Sequence, residues 1–137
     1  MKIIRPYLYL LILTLICGIA SAQETIVFSG YPASRVESGF DSTAQETLTA
    51  EQSTEYRVLI VKRDGKYYWA SRENKELLHF QSGLAHWFIS PSSGYIKIID
   101  PSLSFENQET TQFVYMEHLT LVLATITYWG TGEQLEL

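Results

Sequence analysis

The sequence predicts an α+β domain, a small antiparallel β-meander of about five or six strands with one helix packed on a face. Two observations lead to this prediction. Between residues 56 and 100, runs of β-branched and aromatic residues alternate with turns that contain Gly, Asp, Pro or Ser. Between residues 113 and 126, apolar side chains recur at helical spacing. The domain is therefore expected to be dominated by β-strands.

The strongest local signal is the pair Asp64-Gly65, which separates two strand-like runs within residues 56–72. A two-residue type I′ turn needs positive φ at both positions, and Asp-Gly meets that need. The resulting antiparallel register places Ile60 opposite Trp69. Both faces of this hairpin are apolar near its middle, so we expect it to lie centrally, with a layer on each face.

A second hairpin is predicted from strand-like runs at 84–90 and 95–100, which the turn residues Pro91-Ser92-Ser93-Gly94 connect. This connection is longer than the Asp-Gly turn and has more ways to adapt. We therefore expect Gly65→Val to destabilise the fold more than Gly94→Val.

The predicted helix covers residues 113–123 and is followed by a strand at 125–129. Gly130 and Gly132 are then expected to end the ordered part of the chain. Because strand-like residues directly follow the helical pattern, a choice between helix and strand stays open for residues 113–124.

The first 22 residues have the composition of a cleavable secretory signal peptide. Lys2 and Arg5 precede an uncharged apolar run that is too short for a spanning helix, and Ala-Ser-Ala ends it. The only cysteine of the chain, Cys17, lies inside this segment. We therefore expect a cysteine-free mature protein without a transmembrane anchor, exported to a bacterial periplasm or to the medium.

The rest of the chain is interpreted as one domain. Residues 23–55 are predicted as a short strand followed by an acidic polar loop, with a surface helix over 44–52 as the alternative. Residues 56–130 are predicted as the single β-rich globular core, and residues 131–137 as a polar tail.

Charge and motifs exclude several classes of function. The formal net charge is −5, and removal of Lys2 and Arg5 would leave 8 basic against 15 acidic residues, a net charge of −7. This balance argues against nucleic acid and anionic lipid as partners. There is no Gly-rich phosphate loop, nucleophile elbow or zinc-type spacing of histidines, so we expect no cofactor, no metal and no catalytic constellation.

Candidate binding residues come from the aromatic and arginine side chains of the predicted central strands. They are Tyr67, Trp69, Arg72, Trp87 and Arg57. Aromatic rings and arginine contribute strongly at binding surfaces, although rings in a small domain are more often core. The hairpin register also places Arg57 opposite Arg72, a like-charge pair that nearby glutamates or a bound anion would have to neutralise.

The function expected from these features is non-catalytic binding, with a protein or an envelope component as partner. One alternative is a small secreted hydrolase whose acid–base residues come from His86, His118, Glu117 or Glu73. Another is an accessory subunit of an envelope complex. An enzyme needs a histidine within hydrogen-bond reach of a carboxylate or hydroxyl in a pocket, whereas a binder needs an exposed aromatic patch. The ligand and the oligomeric state stay open.

Overall fold

The computed structural model describes residues 23–100 and 112–137, which form a closed antiparallel barrel of eight strands with one further strand. The strands are β1 (Thr25–Gly39), β2 (Thr43–Thr47), β3 (Val58–Arg63), β4 (Lys66–Trp69), β5 (Lys75–Ser82), β6 (Ala85–Ser90), β7 (Gly94–Ile99), β8 (Phe113–Thr120) and β9 (Ala124–Leu135). One short helix, α1 (Ala50–Glu55), precedes β3. The strand order is β2-β1-β3-β4-β5-β6-β7-β8-β9, and the additional pairing of β1 with β9 closes the barrel. The predicted signal peptide lies outside the described residues.

The prediction of an α+β meander with a helix on one face is wrong. Residues 113–120 form strand β8, and the predicted strand at 125–129 is part of β9. Along β8 the inward side chains include Tyr115 and the carboxylate of Glu117, while apolar Val114 and Met116 occupy the opposite face. A charged residue on the inner face and apolar residues on the outer face hide the period of two, so a helical spacing stands out instead.

The polar stretch predicted as an acidic loop is also largely β-structure. Strand β1 continues to Gly39 because one of its edges pairs with β9 along this length, while the other edge pairs first with β3 and then with β2. Backbone hydrogen bonds therefore hold this extension although its side chains are polar. The helix lies at Ala50–Glu55 rather than over 44–52, and the Thr49–Gln52 capping box starts it.

The predicted β3–β4 hairpin is confirmed. Asp64 and Gly65 have φ values of 50° and 78°, as a type I′ turn requires, and Ile60 lies opposite Trp69. Its inner face is core, whereas its outer face carries the Arg63 guanidinium stacked 4.8 Å from the Tyr68 ring centroid. The second predicted hairpin corresponds to β6 and β7.

The core fills the barrel interior with aliphatic and aromatic side chains from β1 and β3 to β8. Its buried members are Val27, Phe28, Val58, Ile60, Trp69, Leu77, Phe88, Ile96, Ile98 and Tyr115. Gly130 and Gly132, which the sequence predicts to end the ordered part, lie inside β9, which continues to Leu135. A Cβ at Gly132 would come within 2.3 Å of the Phe28 ring, so this glycine makes room for a core aromatic residue.

The turns define two ends of the barrel. The turns at 70–74, 91–93 and 121–123 lie at one end, here named the Arg72 end. The turns at 64–65 and 83–84 lie at the other end, here named the His86 end. Among the residues that the structure describes, none belongs to a helix with the length and hydropathy of a membrane span.

Candidate functional site

A buried carboxylate lies inside the barrel toward the Arg72 end. Strand β8 turns Glu117 inward, where the side chain has 0% exposure. The indole Nε1 of Trp69, at the end of β4, donates to Glu117 Oε1 at 3.0 Å. The following turn brings Arg72 back over the barrel, and its Nη2 donates to Glu117 Oε2 at 2.8 Å. Each carboxylate oxygen therefore has a donor.

Burial dominates the electrostatics of this carboxyl group. Removal from water raises the pKa of Glu117 to about 7, although the charge of Arg72 and the hydrogen bonds from Arg72 and Trp69 act in the opposite direction. The carboxyl group can therefore change its charge close to neutral pH. A perturbed acid beside a cleft is a recognised mark of a functional site, although structural ion pairs also perturb pKa values.

Two tyrosines complete the polar interior. The hydroxyl of Tyr115 is buried and finds no hydrogen-bond partner among the described residues. Burial, followed by the charge of Glu117, raises the pKa of Tyr115 far above its usual value. Tyr128 lies opposite Glu117 on β9, and the Arg72 guanidinium carbon is 5.8 Å from its ring centroid. A buried hydroxyl without a hydrogen-bond partner lowers the stability of the fold, which indicates that this region has a role beyond core packing.

A chain of rings and guanidinium groups leads from this interior toward the surface. The Tyr128 ring packs against Tyr56 with centroids 5.4 Å apart, and the Arg35 guanidinium carbon lies 5.8 Å from the Tyr56 centroid. Arg35 in turn is paired with Glu37 at 2.6 Å and with Glu46 at 3.2 Å. Two arginines thus flank a pair of tyrosine rings that pack at a tilt.

A cleft of about 360 Å³ opens at the Arg72 end. It is lined by charged, hydroxyl and leucine side chains: Ser71, Arg72, Glu73, Lys75, Ser93, Leu119, Thr120 and Leu121. A backbone hydrogen bond of 3.0 Å from Thr120 to Ser93 joins two of the surrounding elements. The Arg72 side chain is 22% exposed, so it reaches both this cleft and the buried Glu117.

This arrangement is suited to binding an anion rather than to transferring a proton. Arginine has five N–H donors, and Arg72 directs one to Glu117 and one, from Nη1, to the Ser71 carbonyl at 2.9 Å. The remaining N–H groups of Arg72 can face the cleft. Glu117 has no exposed surface, so it acts on a cleft ligand only through Arg72.

Of the predicted binding residues, the structure brings Trp69 and Arg72 together, through Glu117. The predicted cross-strand pair of Arg57 and Arg72 is replaced by separate partners for the two arginines. The Nε of Arg57 donates to Ser29 Oγ at 3.0 Å, and its guanidinium carbon lies 5.6 Å from the Tyr31 centroid. The β3–β4 pairing ends before either arginine is reached.

The other two predicted residues lie elsewhere. Tyr67 packs against the ring of His79, with centroids 5.2 Å apart, and lies under the Lys62 ammonium group at 5.1 Å. Trp87 is on the outer wall of the barrel, where the Lys97 ammonium group lies 5.0 Å from its ring. Neither residue lines the cleft at the Arg72 end.

The residues proposed for a hydrolase do not form one group. His118 faces the outer wall, with Nδ1 at 2.9 Å from Thr127 Oγ1. His86 contacts His79 near the opposite end of the barrel, and Glu73 pairs with Lys75 at 3.2 Å on the surface. Glu117 is buried behind Arg72. The two histidines thus lie away from the cleft, whereas Glu73 lines it and Glu117 lies behind Arg72.

Sequence reasoning missed the central role of Glu117 and did not single out Tyr115 or Tyr128. Trp69 and Arg72 are 48 and 45 residues away from Glu117, and no local pattern reports such contacts. The available signal was the single carboxylate within an apolar aromatic segment, which is unusual in a strand unless the charge is paired.

Within the described ranges, no group of three His, Cys, Asp or Glu side chains could hold a metal ion. Comparison of the chain with protein-family models, with curated proteins and with solved structures finds no match.

Proposed function

We propose that the protein is an exported, non-catalytic binding protein that takes a small organic anion in the cleft at the Arg72 end. The observation that carries the proposal is the position of Arg72, which spans the buried Glu117 carboxyl group and the cleft. The support for export is the signal-like segment 1–22.

The lining of the cleft favours an anion with a short apolar part. Arg72 can present two parallel N–H groups to a carboxylate, which is the strongest common geometry for such a pair. Lys75 adds a second cation, and its exposed contact with Glu73 is weak enough for a ligand to replace. Leu119 and Leu121 provide apolar contact for the remainder of the ligand.

The buried carboxyl group makes this binding depend on pH. When Glu117 is ionised, it neutralises Arg72 and competes with a ligand anion. When it is protonated, the positive charge of Arg72 is available to the cleft. Because burial raises the pKa of Glu117 to about 7, anion affinity should rise as the pH falls from about 8 to about 6.

The hydrolase alternative has weaker support, because neither His86 nor His118 lines the cleft and Glu117 cannot touch a ligand directly. Catalysis by a general base requires hydrogen-bond reach to the proton that it removes.

The test is a titration followed by tryptophan fluorescence, since the Trp69 indole shares Glu117 with Arg72. The probes are hexanoate and its neutral analogue hexanamide. We expect hexanoate to bind and to bind at least about tenfold more tightly than hexanamide. Arg72→Gln should abolish the preference for hexanoate, whereas Arg72→Lys should retain part of it.

The matched control is Lys66→Gln, because Lys66 pairs with Glu76 at 3.1 Å, away from the cleft. This variant should bind hexanoate as the parent does. Circular dichroism establishes that each variant is folded. Equal binding of hexanoate and hexanamide, or equal binding by the parent and Arg72→Gln, would refute the proposal.

A further inference from the structure

Two tight turns lie side by side at the Arg72 end of the barrel. In the β1–β2 turn, the Gly39 amide donates to the Ser42 carbonyl at 2.8 Å. In the β8–β9 turn, the Leu121 amide donates to the Ala124 carbonyl, also at 2.8 Å. Gly39 and Ala124 are direct cross-strand partners, so the two turns project together as one double tip.

The double tip carries apolar side chains where turns normally carry polar ones. Val122 is 98% exposed, Phe40 94%, Leu123 81% and Leu121 50%. Central turn positions favour Gly, Asn, Asp, Ser and Pro, as the Asp-Gly turn of the β3–β4 hairpin illustrates. Phe40, Val122 and Leu123 depart from this preference without gaining burial in the described part of the fold. Such a departure indicates a function outside the folded monomer.

A row of hydroxyl groups lies directly behind the double tip. Thr43, Ser38, Thr125 and Thr120 are successive cross-strand neighbours on β2, β1, β9 and β8. The two turns themselves contain one charged residue, Asp41, and no Lys or Arg. The apolar side chains of the two turns are therefore followed, one or two residues along each strand, by uncharged side chains that can form hydrogen bonds.

We propose that the double tip inserts into a lipid surface with zwitterionic headgroups. Within the part of the chain that the structure describes, Phe40, Val122 and Leu123 stay largely exposed, and a lipid interface accepts such side chains without a preformed pocket. The hydroxyl row then lies at the level of the headgroups, where it can hydrogen-bond to phosphate and ester oxygens. The acidic carboxylate of Asp41, the absence of cations on the turns and the net charge of −5 disfavour anionic lipids.

The experiment places an environment-sensitive NBD fluorophore on a single introduced cysteine. The proposed mature chain, which begins at Gln23, contains no cysteine, so Leu123→Cys provides its only thiol. Leu78→Cys is the matched control, because Leu78 is 61% exposed on the outer wall of β5, away from the tip. The probe surface is a vesicle of phosphatidylcholine, and a vesicle that contains phosphatidylserine is the comparison.

We expect the label at position 123 to shift to shorter wavelength with vesicles and to be quenched by nitroxide-labelled lipid, while the label at position 78 stays in water. Replacement of Phe40 and Val122 by Ser should weaken binding through the tip at least about tenfold. A label at 123 that remains in water at saturating lipid would overturn the proposal. So would a lipid-independent, concentration-dependent shift, which indicates protein contact, or a preference for phosphatidylserine vesicles.

Discussion

The two ends of the barrel hold titratable groups of opposite kinds. Toward the Arg72 end, the Glu117 carboxylate is held by a guanidinium and an indole. Near the His86 end, His79 Nε2 lies 3.3 Å from His86 Nδ1, and the two rings stack with centroids 5.6 Å apart. The Arg72 end therefore contains a buried acid with a cation beside it, whereas the His86 end contains two bases that share a hydrogen bond.

The two clusters should respond to pH with opposite signs. Burial raises the pKa of Glu117 to about 7, so its contribution to stability is complete below its ordinary pKa and is lost as the pH rises through about 7. Burial lowers the pKa of both His79 and His86, and the partner imidazole lowers that of His79 further. Their contribution is present above the ordinary histidine pKa and is lost as the pH falls below it.

The largest expected difference between the two ends concerns their glycines. At Gly94 a Cβ would lie 1.9 Å from the His118 carbonyl oxygen, and φ is 130°. At Gly65 φ is 78°, but nothing lies within 4 Å of a Cβ. Gly94→Val should cost about 4 kcal/mol or prevent folding, and Gly65→Val about 1–2 kcal/mol.

Turn length predicts the larger loss of stability for Gly65→Val, and the structure predicts the larger loss for Gly94→Val. The reason is that the close approach of β8 to Gly94 determines the loss, and not the length of the turn. Urea unfolding of the two variants gives the comparison directly. Equal losses in the free energy of unfolding for the two variants would mean that β7 and β8 separate easily at Gly94.

The next effect concerns Arg72→Ala, which leaves Glu117 without its cation. At a pH of about 8, where the carboxyl group would otherwise ionise, we expect a loss of about 3–5 kcal/mol. At a pH of about 5 the carboxyl group is protonated, and the loss should fall to about 1–2 kcal/mol. Urea unfolding at both values measures this, with Lys66→Ala as a control that should show no pH-dependent change. A loss for Arg72→Ala that is the same at both values would contradict the assigned ion pair.

The smallest effect is expected at the other end. His79→Gln removes one member of the imidazole pair, so the decline in stability on the acid side should become shallower. His118→Gln is the control, since His118 contacts Thr127 on the outer wall. Thermal unfolding between pH values of about 5 and about 7 measures the slope. If both variants changed the slope equally, the effect could not be assigned to the pair.

The β3–β4 hairpin was predictable because its information is local: Asp64-Gly65 sets both the turn and the register. Strand β8 was not predictable, since its apolar residues match helical spacing and its inner face includes Glu117. Closure of the barrel depends on β1 pairing with β9, about a hundred residues apart, which no short pattern reports.

The candidate site shows the same limit. Trp69 and Arg72 were selected because of their residue types, and the structure places both on Glu117. The separate expectation that Arg72 lies opposite Arg57 does not hold in the structure. The residue types of Trp69 and Arg72 indicated polar contacts, but their partner, Glu117, is determined by the closure of the barrel.

A carbon-13 titration of the Glu117 side chain measures directly whether this buried carboxyl group changes its charge near neutral pH. Selective labelling of glutamate δ-carboxyl carbons, with Glu117→Gln to assign the resonance, reports the protonation of this one group. We expect a midpoint of about 7, because the carboxyl group is buried inside the barrel. A midpoint near the ordinary glutamate value of 4.5 would show that Glu117 is a simple ion-pair partner and would remove the basis for pH-dependent binding at Arg72.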